Sequence, residues 1–477
     1  MAKKELWNTA HILKSVGGIL LSGNPDTVFS GISIDSRTIS PNDFFIAIEG
    51  EVHDGHLFTR DVIAKGVQGL MISEKKIGNL PCEEWKKQGI SCIAVKDTIR
   101  ALGDLAAYRR KSSGVSLVAV TGSNGKTTVR QMLSSIFSIK YRILSTKGNF
   151  NNEIGLPLTL LELEPEYEWA VVELGMNRPG EIRRLARICQ PDIGIITNIG
   201  PAHLEGLGSL EAVARAKGEL LEEMSSRGIA VLSADDPACT DLAEQTVQET
   251  ITFGFAEEAQ VKAVSKKRQG KNISFIMEIS PEMVPVDLRS PAEFMISNAL
   301  AAAAAAYGAD FSPKMIARGL SYFRPVEGRM NIYKSSRGFH IIDDTYNANP
   351  ASVKAALRTL ALVKQGRGIA VLGDMLELGR QTDSLHKEIG MFCAASGIEK
   401  LFLTGSFAET VAEEARKNGM NRSNICIAGK EEILAELKRI LQAGDWVLIK
   451  GSRGMKMEVI PEGLKEEDKE EFSIKTG

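Results

Sequence analysis

Short β-branched runs alternate with helix-length amphipathic segments along most of the chain, and the alternation falls into three blocks. In residues 1–112, the runs at 31–34, 44–48 and 69–72 read as strands, broken by turn chemistry such as Ser40-Pro-Asn-Asp43. Residues 113–328 open with the continuously apolar run 117–120 and continue with 141–144, 169–173, 193–197 and 228–232. Runs of this kind, spaced by helices, predict a doubly wound, mostly parallel sheet covered on both faces. Residues 329–477 repeat the rhythm at 340–343, 368–372, 400–403, 424–427 and 445–449, which predicts a Rossmann-like carboxyl-terminal domain. The predicted class is therefore α/β in three domains, the amino-terminal one being the smallest. Lys111-Ser-Ser-Gly114 reads as a linker, and Gly328-Arg329 marks the second boundary. Residues 298–306 are almost all alanine, which favours a helix that a neighbour can approach closely. Residues 461–477 are rich in Lys and Glu and predict a frayed tail.

Composition narrows the function classes. A chain of 477 residues, 43% apolar, suits about three hydrophobic cores better than one. Lys plus Arg number 58 against 60 for Asp plus Glu, so no charge excess points to nucleic acid or an acidic membrane, and any phosphate site must be local. The charged start lacks an apolar targeting segment, and no run approaches the roughly 18 apolar residues of a membrane span. A cytoplasmic monomer is expected. The six cysteines form no Cys-x-x-Cys pair, which suits reduced core thiols rather than a disulfide frame or zinc site.

The chemistry begins at Val118-Ala-Val-Thr-Gly-Ser-Asn-Gly-Lys-Thr-Thr128, a strand running into a glycine-rich turn and then a helix. Glycines let backbone N–H groups turn onto phosphate oxygens, and the helix N-terminus adds its dipole. Thr121, Gly122, Ser123, Asn124, Gly125, Lys126, Thr127 and Thr128 are thus the candidate ATP-binding residues. Lys126 would neutralise the β and γ phosphates, and the Thr127 hydroxyl would ligate magnesium. The regular P-loop pattern requires glycine at position 120, where this chain has valine. A second candidate magnesium ligand is Glu173, at the carboxyl end of a predicted strand, although an acid there is also a common cap.

The variant Thr-Gly-x-x-Gly-Lys-Thr-Thr resembles the phosphate loop of the Mur ligases and folylpolyglutamate synthases, and further strings make the resemblance to Mur ligases specific. Residues 343–353, Asp-Asp-Thr-Tyr-Asn-Ala-Asn-Pro-Ala-Ser-Val, and Lys147-Gly-Asn-Phe-Asn-Asn-Glu-Ile-Gly155 are closely similar to the branch of the family that adds D-alanyl-D-alanine. Residues 373–379, Gly-Asp-Met-Leu-Glu-Leu-Gly, and 450–458 also resemble that branch, without a chemical role that the residues themselves reveal. The resemblance implies an ATP- and Mg2+-dependent amide ligase whose partners are UDP-N-acetylmuramoyl-tripeptide and D-alanyl-D-alanine.

Residue by residue, the resemblance implies His203 as a ligand of a second magnesium and Lys217 as a carbamylated lysine, so that Lys126, His203 and Lys217 are the expected catalytic set. An isolated His is more often structural, and a helical Lys is more often exposed. The family also implies Asn298 for the adenine, Arg329 for the phosphates and Asp344 for the ribose. Ser36 and Arg37, in a stretch resembling the family's UDP-binding domain, can offer a hydroxyl and a fork of donors, while Asn149, Asn151 and Asn152 offer a polar loop for the sugar-peptide. Two other readings stay open. One is a diaminopimelate- or lysine-adding member, against which stands Leu403-Thr-Gly-Ser406 where the diaminopimelate form carries Asp-Asn-Pro-Arg; the other is a P-loop ATPase switch, which would need neither Lys217 nor a UDP domain.

Overall fold

The computed structural model describes residues 6–50 and 52–465. Its α/β architecture rests on three large sheets. The first has five strands in the order 19-91-69-43-31, each strand given by its first residue, with the strand Ile19–Ser22 antiparallel and the rest parallel. Asp97 caps the next helix, Thr98–Ser113, by accepting the backbone N–H groups of Ile99 and Arg100. That helix runs through the expected linker and stops only at Gly114, whose left-handed φ of 64° ends it. Arg110 on its last turn holds it to the next unit, donating to Cys189 O, Gln190 O and Asp192 Oδ2.

The central sheet has nine strands, ordered 282-272-261-249-229-193-116-169-143. The seven strands from Val261–Gln269 to Ile143–Ser145 are parallel. Four strands lay outside the predicted set: Glu249–Gly254, Val261–Gln269, Asn272–Ile279 and Glu282–Leu288. The last two are antiparallel and alternate in burial, with Ile273, Phe275, Met277 and Ile279 facing the core and their neighbours outward. That period-two pattern is a different signal from the continuous apolar runs of the parallel strands. The alanine-rich helix Phe294–Gly308 lies buried against the helix Lys126–Phe137 and the sheet. Its alanines Ala301 to Ala306 are all fully buried, so the small side chains set a close helix approach.

The third sheet is ordered 331-340-446-368-400-425, parallel except for the edge strand Asn331–Lys334. Asn349 begins its first helix, Pro350–Val363, with a capping box to Ser352 and Pro350 in the first turn. Of the tail expected to fray, residues 461–465 instead continue a helix, with Leu464 buried and Lys465 Nζ 3.6 Å from Asp343 Oδ2; residues 466–477 lie outside the described residues. Cys92, Cys189, Cys239 and Cys393 are buried and all six cysteines are free thiols. No helix among the described residues is long and apolar enough to cross a membrane.

Candidate active site

The strand Ser116–Thr121 carries its backbone straight into the turn, and two glycines make the turn possible. Gly122 has φ 144° and Gly125 φ 87°. A Cβ at Gly122 would lie 1.8 Å from Thr197 Oγ1, and one at Gly125 2.3 Å from Asn298 Oδ1. Only glycine fits both the backbone and the space. The turn is braced by the segment after the neighbouring strand Ile193–Ile196. Ser123 Oγ donates to Gly200 O and accepts from Gly200 N, both at 2.9 Å. Asn198 Oδ1 accepts the Asn124 N–H at 3.0 Å while its amide donates back to Asn124 O at 3.0 Å. Lys126 is the first residue of the following helix and donates to Gly122 O at 2.8 Å. Burial pushes its ammonium below the usual lysine range; the Glu173 carboxylate opposes this, Arg329 adds to it and Glu377 opposes it.

Glu173, 3% exposed, ends the strand Trp169–Glu173 and gathers donors from both sides. Thr127 Oγ1 donates to its Oε2 at 2.9 Å, Asn151 Nδ2 to its Oε1 at 2.9 Å, and Arg130 Nε stands 3.8 Å from Oε2. Two hard oxygen groups therefore meet beside the phosphate turn, which suits Mg2+, an ion that takes one or two protein oxygens and leaves its other positions to phosphate and water. His203 follows the strand Ile193–Ile196 by seven residues, in a left-handed conformation, and its Nδ1 is 2.8 Å from Glu377 Oε2 of the third sheet's domain. Lys217 sits inside the helix Leu210–Glu223 and is 1% exposed, which settles its burial against the exposed alternative. No hydrogen bond reaches its Nζ among the described residues. Burial first, then the positive charge of Lys126, drive its ammonium far below the ordinary lysine range.

Around a cleft of about 1450 Å3 stand further contributions from the middle and third domains. Asn298 lies within the alanine-rich helix rather than ahead of it, five residues into the first turns, and faces Gly125. The Arg329 guanidinium stacks 3.9 Å above the Tyr346 ring, and its buried Nε has no hydrogen-bond partner among the described residues. Asp344 ends the strand His340–Asp344, accepting from Met330 N at 3.1 Å and from Lys450 Nζ at 2.5 Å. Asn149, Asn151 and Asn152 line the same cleft. Two of them are engaged locally: Asn151 orients Glu173, and Asn152 Oδ1 accepts the N–H groups of Ile154 and Gly155 at the start of the helix Gly155–Leu161. Ser36 and Arg37 do not line the cleft. The Arg37 fork is spent on Asp35, at 2.9 and 2.7 Å, and Ser36 O accepts from Lys65 Nζ at 2.6 Å.

Several residues of the site were not singled out by the sequence. Arg130 carried the signal of position only, one helical turn beyond Lys126 on the face toward Glu173. Asn349 lies in the 343–353 string, whose similarity marked the segment but not the contact: its Nδ2 reaches Asn124 Oδ1 at 2.7 Å across 225 residues of chain. Glu377 lies in the 373–379 string, whose similarity to a family branch marked the loop but not the contact.

A glycine-braced phosphate turn, a lysine at a helix start and a threonine–carboxylate pair at the carboxyl edge of a parallel sheet define a P-loop nucleotide-binding protein with a third domain folded over the site. The Mur ligase family, catalytic domain model matches residues 28–110, the Mur ligase middle domain residues 120–306, and the Mur ligase, glutamate ligase domain residues 328–453. The chain is 34% identical over 465 residues to the UDP-N-acetylmuramoyl-tripeptide--D-alanyl-D-alanine ligase of Bacillus subtilis (strain 168), covering 97% of this chain and 99% of that one. Its fold is similar to a crystal structure of MurF from Acinetobacter baumannii, with TM-score 0.89, 32% identity and coverage of 97% and 99%. It is also similar to MurF ligase from Thermotoga maritima in complex with ADP, with TM-score 0.81, 26% identity and coverage of 92% and 98%. The chain belongs to the Mur ligase family.

Proposed function

We propose that this protein adds D-alanyl-D-alanine to UDP-N-acetylmuramoyl-tripeptide, driven by ATP through an acyl phosphate, as the last cytoplasmic step that makes the muramoyl-pentapeptide precursor of peptidoglycan. The observation that carries the reading is the cleft in which the phosphate turn at 123–128, Glu173, His203, the Asn-rich loop and the residues Arg329 and Asp344 face one another. Amide formation from a free carboxylate is uphill in water, so the carboxylate must first be activated. In this reading its oxygen attacks the γ-phosphorus of ATP, ADP leaves, and the dipeptide amine then attacks the acyl carbonyl and expels phosphate. Lys126 and Arg329 hold the phosphate oxygens in line and balance their charge through the first step. The cap made by the third domain keeps water from the acyl phosphate, which it would hydrolyse. In this reading Asn298 and Asp344 take the base and the ribose, and Asn149, Asn151 and Asn152 the sugar-peptide. Ser36 and Arg37 remain the candidates for the UDP end.

Thr127 and Glu173 would hold Mg2+ at the phosphates, and His203 with a Lys217 carbamate would hold a second ion, neutralising charge as it develops. The buried amine of Lys217, whose charged form burial disfavours, supports the carbamate, because only an unprotonated amine attacks carbon dioxide. The reading keeps three domains, 1–112, 113–328 and 329–477, the first boundary falling on the last turn of the helix Thr98–Ser113, and a cleft lined by one chain supports a monomer. Incubation with ATP, UDP-muramoyl-tripeptide and D-alanyl-D-alanine is expected to release ADP and phosphate and to give the pentapeptide by mass spectrometry. Joining of a single amino acid to the UDP-muramoyl-dipeptide, with no pentapeptide formed, would overturn the proposal.

A further inference from the structure

The contact between His203 and Glu377 has three features that a chance surface ion pair would not combine. It spans 174 residues of sequence and joins two domains at 2.8 Å. Both partners are non-glycine residues in the left-handed region, His203 at φ 57° and Glu377 at φ 63°, a conformation that L side chains rarely adopt. The backbone locks the pair in place as well: Glu205 N donates to Glu377 O at 3.0 Å, and Gly379, φ 57°, packs so closely that a Cβ there would lie 3.0 Å from Glu205 Cα. Both side chains line the cleft. A carboxylate only accepts hydrogen bonds, so His203 Nδ1 carries the hydrogen, and in the neutral ring, the form that ligates a metal, the lone pair resides on Nε2, which has no partner among the described residues.

We propose that Glu377 is a positioning residue, which fixes the ring and tautomer of His203 from across the domain junction so that Nε2 is presented to a metal ion only when the third domain is closed over the phosphate turn. The inference rests on the reading of His203 as a metal ligand. It adds a reason for the third domain to close: a carboxylate behind a ligating imidazole fixes its orientation and raises its basicity, and loss of such partners weakens metal binding about 10–100-fold. A P-loop with its carboxylate alone would bind metal whatever the third domain did, whereas here closure completes the second ligand.

The test compares the full-length wild type with Glu377→Ala, Glu377→Gln and His203→Ala. Mn2+ binding to the protein–ADP complex is titrated by electron paramagnetic resonance, and the His203 tautomer is read by 15N NMR, its signals assigned by their loss in His203→Ala. Glu377→Ala is expected to weaken the Mn2+ site about tenfold or more and to lose the Nδ1–H preference. Glu377→Gln, whose carbonyl still accepts the Nδ1–H, is expected to keep the tautomer and most of the affinity. An unchanged tautomer and Mn2+ affinity in Glu377→Ala, with His203→Ala impaired, overturns this inference alone; a fall in turnover with the tautomer intact does the same, because it marks the loop as structural only. Unchanged Mn2+ binding in His203→Ala removes the reading on which the inference stands.

Discussion

Replacing Glu173 by Gln changes one charge and almost no volume, and it separates folding from chemistry at the centre of the site. The carboxylate is 3% exposed and accepts from Thr127 Oγ1 and Asn151 Nδ2 at 2.9 Å each, with the buried Arg130 at 3.8 Å. A Gln keeps one accepting oxygen for Asn151 Nδ2 and turns its amide nitrogen toward Thr127 Oγ1, whose hydroxyl must then accept instead of donate. Arg130 loses the carboxylate beside it while keeping its hydrogen bond to Ser145 Oγ. Breaking a buried pair by removing one partner costs about 3–5 kcal/mol, and the long Arg130 contact places this case near the lower end. For a unit of roughly 200 residues, each kcal/mol moves Tm by about 2–4 °C, so a fall of about 6–12 °C is expected in the apo protein. ATP turnover is expected to drop at least about 100-fold, since metal ligation is lost outright. Binding of ADP without Mg2+ is expected to persist, because Lys126, Arg130 and Arg329 remain and one opposing charge is gone. Scanning fluorimetry with ADP, with and without Mg2+, and an ADP-release assay read all three quantities. Turnover equal to wild type at saturating Mg2+, or equal loss of ADP binding with and without the metal, would refute the assignment of Glu173.

Lys126→Ala is expected to abolish ADP release while leaving the apo Tm unchanged or raised, since it deletes an ammonium whose charge is disfavoured by burial; a fall in Tm comparable to that of Glu173→Gln would contradict this. Lys217→Ala is expected to lose activity and to regain part of it when a short carboxylic acid is added in place of the carbamate, and full activity of the unrescued variant would eliminate the carbamate. In the first domain, burial alone would raise the Asp54 carboxyl, but Lys76 and the ring and backbone N–H of His56 hold it at about 2, below its ordinary 3.8. The unfolded chain therefore binds more protons between these values, and the stabilisation is complete above pH 3.8 and lost as pH falls toward 2. Asp54→Asn is expected to cost on the order of 2 kcal/mol at pH 7 and almost nothing near pH 2, measured by denaturant unfolding at both; a pH-independent difference would reject the linkage.

How much of this was legible in the sequence depends on how far apart the cooperating residues lie. The turn from Val118 to Thr128 could be read directly, because a strand, two glycines and a helix start are local facts and each dictates the backbone of its neighbours. The parallel strands buried on both faces were equally plain, since that burial leaves a continuous apolar run; Glu249–Gly254 and Val261–Gln269, parallel but largely polar, carry no such run. The alternating strands Asn272–Ile279 and Glu282–Leu288 were as strongly patterned, but at period two, and a search for continuous runs passes over them. Resemblance supplied Lys217, His203 and Arg329 as names; their circumstances came only from packing. Nothing adjacent to Lys217 in the sequence says that its helix face is sealed, and nothing near Asn124 points to Asn349. Asn151 reads as a free polar loop residue until Glu173 is found 2.9 Å away, and Arg37 reads as a free fork until Asp35 occupies it. Chain connectivity and side-chain periodicity fix secondary structure because they act over a few residues; charge pairing, desolvation and the meeting of His203 with Glu377 depend on how domains dock, which the sequence encodes only through the sum of all their contacts.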